Sequence, residues 1–362
     1  MKLENIFNHN VKRLGGRFPF EAQSSRITEY YKHFADCSID LIGLARKALP
    51  ELPPIHFDFV LNGQVNALAF RNGDNYFIGL HTGTLFLLRL IIGRMLSDQN
   101  IFPDLGSCTD ELSNLEPIKG YSLDADDVYM ENPILTPKDE ARRVCGHAIQ
   151  DMALMFLVGH EIAHITRGHL DYHIHKSGTN FITEIGSFGD KTMYSNLERQ
   201  AIECDADQRS VVSRVDTLRI TCESLNSQLP TSLASEDHRH LCIKLWAIAL
   251  SIVFRLFGDV RFTKEGLKAS SYPPVSMRRM MAGLSTLRDV TENWDPTLES
   301  VTLEIFRETN MAVEHAFSKI LNTEFSAKSM DDAVNNKEHM MKIIDYWNQV
   351  VRVKCRPYAY EF

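Results

Sequence analysis

The chain has 362 residues, 44% hydrophobic and 24% charged, a composition that can bury a sizeable core without disulfide or metal staples. Its formal net charge of -8, with no basic cluster to offset it, excludes a phosphate-backbone partner, so no nucleic acid is expected. The seven cysteines are scattered and include no C-x-x-C pair, which reads as free thiols in a reducing compartment.

Residues 1–17 carry neither an apolar h-region nor a small-residue cleavage site, so a cytoplasmic protein is expected. Residues 1–23 read as irregular, with Gly15, Gly16 and Pro19 as breakers. Ser24 and Ser25 open a helix to about Leu49, with Ile27, Tyr31, Phe34, Ile39, Ile42 and Leu44 facing inward. Residues 55–61 alternate as a strand, and residues 65–70 form a second. The Asn72-Gly73 turn then returns the chain along residues 76–80, as a hairpin. A helix follows over residues 83–96. Arg89 and Arg94 interrupt its apolar run, so it reads as a core helix rather than a membrane span.

Residues 97–135 are rich in acids and broken by Pro103, Gly106, Pro117, Gly120 and Pro133. They read as an exposed, mobile acidic insertion. Thr136-Pro137-Lys138-Asp139 resembles a helix start, with Thr136 as the N-cap. The helix it opens is apolar nearly all round from Val144 to Ile165, as a buried central helix should be, and Gly168 stops it.

On that helix stands His160-Glu161-Ile162-Ala163-His164. Histidines four apart share one helix face, one turn from each other, and both can reach a zinc ion at ~2.0–2.1 Å. Glu161, next to the first histidine, is placed to act as the general base on a water. With 14 histidines in the chain such a match can arise by chance, so a third ligand decides its weight. His169, His173 and His175 follow in what reads as a polar loop, and are not expected to ligate.

Ser195-Asn196-Leu197-Glu198 fits a capping box and opens a helix to about Leu225. Within it, Glu203 and Asp207 are four apart and face the same way. Glu203 supplies the third ligand of a His₂Glu site, and Asp207 can take the outer N–H of a ligand histidine. A further helix spans residues 237–257. Its most apolar run, about ten residues, is half of the ~20 needed to cross a bilayer, so no membrane span is expected. Ser271-Tyr272-Pro273-Pro274 opens the next helix, with Arg278 and Arg279 in its first turns and Met281 and Leu284 inward. Two more helices, with inward positions such as Leu298, Val301, Leu303 and Ile305, complete the chain.

Four separated segments stand in the order seen in one family. They are Asn66-Ala67-Leu68-Ala69, His160-Glu161-Ile162-Ala163-His164, Glu203-Cys204-Asp205-Ala206-Asp207, and Tyr272-Pro273-Pro274 with Arg278. In this the sequence resembles the gluzincin metallopeptidases, and more narrowly the minigluzincin group that includes the CAAX-protein endopeptidases and bacterial heat-shock membrane proteases. A more distant likeness is to phage-exclusion peptidases of the Lit type. The resemblance covers about residues 55–285.

The resemblance implies one zinc ion per chain on His160, His164 and Glu203, with Glu161 as general base. It implies Asp207 as the partner of His160, and Tyr272 and Arg278 as candidate transition-state stabilisers. It also implies a cleft rim at Asn66, Ala67, Leu68 and Ala69, where an extended peptide adds as a strand. Tyr272 stands where the family has a histidine.

The expected fold is α+β: a mostly helical zincin-like domain over residues 55–285, with a small antiparallel sheet and the acidic insertion at 97–135. Helical regions over residues 1–54 and 286–362 flank it. The expected function is zinc-dependent endopeptidase activity on a protein or peptide substrate. The alternatives are a zinc-bound scaffold without turnover and an effector protease with one target.

Overall fold

The computed structural model describes residues 2–119, 132–183, 194–212, 215–228, 237–258, 270, 272–323, 325, 334 and 336–361. The chain is α+β, mostly helical around one four-stranded sheet. The elements in chain order begin with α1 (Leu3–Val11), α2 (Ser25–Ala48), β1 (Ile55–Val60), β2 (Ala67–Asn72), β3 (Asn75–His81) and α3 (Thr82–Leu96). Next come α4 (Glu140–Thr166), α5 (His169–Ser177), β4 (Phe181–Thr183), α6 (Asn196–Val212), α7 (Val215–Gln228) and α8 (His238–Phe257). Last are α9 (Val275–Asn293), α10 (Glu299–Leu321), α11 (Lys337–Tyr346), a wide turn (Trp347–Val351) and α12 (Arg352–Cys355).

The sheet is mixed rather than antiparallel. Its order is β1-β3-β2-β4. β1 runs parallel to β3, with Ile55 opposite Tyr76 and Val60 opposite His81. The expected hairpin joins β2 and β3, and Gly73 takes the left-handed conformation (φ 60°) that its tight turn needs. β4 pairs antiparallel with the other side of β2, with Leu68 opposite Thr183 and Phe70 opposite Phe181. Alternation along a strand reports which face is buried, not which way its neighbour runs, so the parallel pairing was invisible in sequence.

The sheet is covered on both faces. Ala67, Ala69, Tyr76, Ile78 and Leu80 point into the main core, where α4 packs. Leu68, Phe70, Phe77 and Val60 point the other way, onto Phe7 and Val11 of α1. Phe70 stacks between Phe77 and Phe181, with ring centroids 4.7 and 4.6 Å away, tying β3, β2 and β4 together. Residues 3–11 are therefore helical, not irregular as expected. Leu3, Ile6, Phe7 and Val11 sit at helical spacing, and the sheet's outer face gives that stripe a partner.

The described part of the acidic insertion is exposed over much of its length, as expected, but its first turn is packed: Asp98, Ile101, Phe102 and Leu105 are buried. Arg142, wholly buried on α4, donates from Nε to Leu96 O (2.7 Å) and from Nη1 to Phe102 O (2.8 Å) and Leu105 O (3.3 Å). Its Nη2 donates to Asp98 O (3.1 Å) and Ile101 O (2.8 Å). The guanidinium thus satisfies a run of buried carbonyls that no sheet or helix serves. Residues 120–131 of the insertion lie outside the described residues. α4 starts three residues later than expected. Its N-cap is Asp139, whose carboxylate accepts from Arg142 N, while Glu111 Oε1 accepts from the N–H groups of Lys138 and Asp139.

Other departures are smaller. The helix expected over 195–225 is described as α6 and α7, with residues 213–214 outside the described residues. Ser195 caps α6 through Glu198 N, but Glu198 turns to Tyr172 and Lys176 instead of closing the box. Ser271 lies outside the described residues, and α9 is preceded by Pro274. Leu284, Leu303, Ile27, Ile39 and Leu44 are exposed rather than inward. α8 is long and apolar enough to cross a membrane, and 78% of its most apolar window is buried in the fold.

Candidate metal centre

α4 is the central element. It packs against α2, α3, α6, α8 and the sheet, which explains why it is apolar nearly all round. His160 and His164 lie one turn apart on the side facing α6. Their Nε2 atoms are 2.9 Å apart. From α6, Glu203 reaches 3.5 Å from His160 Nε2 and 3.9 Å from His164 Nε2. One donor atom from each of the three residues lies within 4.8 Å of the others.

Ligand atoms held at ~2.0–2.1 Å in a tetrahedron are about 3.3 Å apart, so this triangle fits one ion with side-chain shifts of a few tenths of an ångström. Two imidazoles and one carboxylate are a zinc-type donor set with room for a fourth group.

The outer nitrogens are also held. His160 Nδ1 lies 3.0 Å from Asp207 Oδ1. Arg278 grips the same carboxylate with two bonds, Nε to Oδ2 (2.7 Å) and Nη2 to Oδ1 (2.8 Å). Its guanidinium lies over the Phe254 ring at 5.1 Å. An acceptor at Nδ1 keeps the proton there and turns the Nε2 lone pair toward Glu203.

His164 has a longer chain behind it. Its Nδ1 is 3.2 Å from His169 Nδ1, and His169 Nε2 is 3.3 Å from Asp205 Oδ2. Arg167 then holds Asp205 with bonds of 2.8 and 2.9 Å. Burial, reinforced by His160 and His169, pushes His164 well below the usual histidine value. Burial lowers His169 too, partly offset by Asp205. Burial raises Asp205, but its bonds to His169 and Arg167 outweigh that and hold it below the usual carboxylate value. Both rings are therefore neutral, the state in which an imidazole ligates.

This corrects the reading of His169, His173 and His175 as loop residues. All three are on α5, and His169 and His173 are fully buried. The turn that brings His169 back beneath His164 is made by Gly168, at φ 73°. A Cβ there would lie 2.7 Å from Cys355 O and 2.8 Å from Ala359 N, so the C-terminal segment also requires glycine. That segment closes the end of α4: Tyr360 N donates to Thr166 O (2.8 Å), and Thr166 Oγ1 donates to Glu361 Oε1 (2.8 Å). Trp347 stands edge-on to His169 at 5.3 Å.

The structure therefore gathers His160, His164, Glu203, Asp207 and Arg278, with Glu161 buried on the same turn as His160. Arg278 braces Asp207. The Tyr272 hydroxyl donates to Thr183 O of β4 (3.1 Å). Asn66 lies just before β2 and exchanges bonds with Thr84 at the start of α3: Asn66 N donates to Thr84 Oγ1 (2.9 Å), which donates to Asn66 O (3.0 Å). Ala67, Leu68 and Ala69 lie in β2, whose Leu68–Phe70 stretch is paired on both sides.

No family model, curated protein or solved structure matches the chain. The site therefore stands on its own chemistry. His169, Asp205 and Arg167 were missed because no spacing rule links them. Asp205 is two residues from Glu203, on another face of α6, and only the reversal at Gly168 brings His169 to it.

Proposed function

We propose that this chain is a zinc-dependent endopeptidase of gluzincin type. The observation that carries the reading is the buried convergence of His160, His164 and Glu203, with Asp207 behind the first histidine. When bound, zinc supplies Lewis acidity and lowers the pKa of a water to about 7. Asp207 and Arg278 hold the His160 ring, and His169 and Asp205 hold the His164 ring. Glu161 takes the proton of the attacking water and returns it to the departing amine. The substrate is an extended peptide. Because β4 pairs with β2, a peptide that is to lie along β2 must replace those three residues.

One observation favours a second reading, a zinc-stabilised scaffold without turnover. His160, Glu161, His164 and Glu203 are each no more than 2% exposed, so no peptide reaches them unless the fold opens.

Glu161→Gln separates the two. It keeps the side-chain shape and all three proposed ligands. Under the endopeptidase reading, zinc content is unchanged while cleavage of a peptide library falls by ~10²–10⁴-fold. A wild-type protein that holds zinc and cleaves nothing in that library favours the scaffold, or an effector protease with one target, instead. A Glu161→Gln protein that cleaves as fast as wild type refutes the assigned mechanism.

A further inference from the structure

A second cluster of metal-type donors lies on the other side of α4. His33 and Cys37 are one turn apart on α2, and Asp151 meets them from α4. His33 Nε2 is 2.9 Å from Asp151 Oδ1 and 3.9 Å from Cys37 Sγ. One donor atom from each lies within 4.8 Å of the other two.

We propose that His33, Cys37 and Asp151 form a second zinc site, clamping α2 onto the central helix. Zn–N and Zn–O bonds of ~2.0–2.1 Å and a Zn–S bond of ~2.3 Å put tetrahedral donors about 3.3–3.6 Å apart. The two distances here bracket that range. An ion entering between the three groups opens the His33–Asp151 contact and draws the sulfur in toward both partners, from within 4.8 Å of the Asp151 carboxylate. His33 and Cys37 have the i, i+4 spacing that puts two donors on one helix face, and α2 packs along α4.

The local field favours a dication. Asp36 and Asp40, on α2 with Cys37, join Asp151 in a group of carboxylates that attracts the ion. Imidazole, thiolate and carboxylate together select zinc over the harder magnesium or calcium. The half-exposed His33 and Asp151 side chains leave a fourth position to water.

The site shares no donor with the buried centre. Asp151 precedes His160 by nine residues, about two and a half turns and ~13 Å along α4, on the opposite face. A clamp there braces α2 against the back of the helix whose front carries His160 and His164.

Sulfur makes the test specific, because His160, His164 and Glu203 include none. Full-length protein stripped of metal is titrated with cobalt(II), then with zinc. A thiolate-to-cobalt charge-transfer band is expected in wild type and in His160→Gln. It is expected to vanish in Cys37→Ser and His33→Ala; Cys37 packs half-buried against the core, so urea unfolding of each variant checks that the fold is retained. Cys37→Ser also takes up one zinc fewer per chain than wild type. No band in wild type, or an undiminished band in Cys37→Ser, overturns the proposal. Neither result bears on the buried centre.

Discussion

The row of polar side chains behind His164 makes a sharp prediction about His169. If His164 uses Nε2 for the metal, its Nδ1 carries the proton and needs an acceptor. The atom available is His169 Nδ1, 3.2 Å away, and that forces the His169 proton onto Nε2, facing Asp205 at 3.3 Å. His169→Phe keeps a ring against Trp347 but offers no acceptor. It strands a buried N–H, at a cost of ~1–3 kcal/mol. Loss of such an orienting partner weakens metal binding by ~10–100-fold, or about 1.4–2.7 kcal/mol, which agrees. His169→Asn restores an oxygen near the lost nitrogen and should recover most of the affinity. The assay is competition for zinc between stripped protein and a chromophoric chelator. Urea unfolding of the stripped proteins in parallel separates lost stability from lost affinity. The tautomer argument fails if His169→Phe binds zinc as tightly as wild type, or if the Asn and Phe variants lose the same amount.

Two predictions concern stability away from the metal. Arg142→Met keeps the side-chain length but removes all five bonds from the guanidinium; Asp98 O and Phe102 O keep the N–H groups of Ile101 and Leu105, while the carbonyls of Leu96, Ile101 and Leu105 are left dry. At ~1–3 kcal/mol for each buried group left dry, the loss should reach at least about 3 kcal/mol in urea unfolding, and a loss below about 1 kcal/mol refutes the packed-loop account. Burial lowers His81 and His173 from 6.5 to about 4, so the unfolded chain binds more protons between those values. Their contribution to stability is intact above about pH 6.5 and is lost as pH falls toward about 4, by up to about 1.4 kcal/mol per pH unit for each ring. His81→Leu should flatten the slope of unfolding free energy against pH by one such proton. An unchanged slope means the ring is not held neutral.

Local signals determined much of this protein before any folding. Helical period set α2, α3, α4 and α8 to within about three residues, although Ile27, Ile39 and Leu44, read as inward on α2, prove exposed. The Asn72-Gly73 turn set the β2–β3 hairpin. Spacing of four residues put His160 with His164, and Glu203 with Asp207, each pair on one face. That is helix geometry and needs no tertiary contact.

Tertiary structure decided which faces meet. Glu203 joins the two histidines because α6 packs along α4, which no local pattern states. The chain His164–His169–Asp205–Arg167 depends on a reversal at Gly168 and on the C-terminal segment lying against it. Parallel pairing of β1, capture of β2 by β4, and the burial of Arg142 among loop carbonyls are likewise contacts between segments far apart in sequence. A residue's period tells which side is apolar; only the packed fold tells what that side, or a polar atom on it, finds opposite.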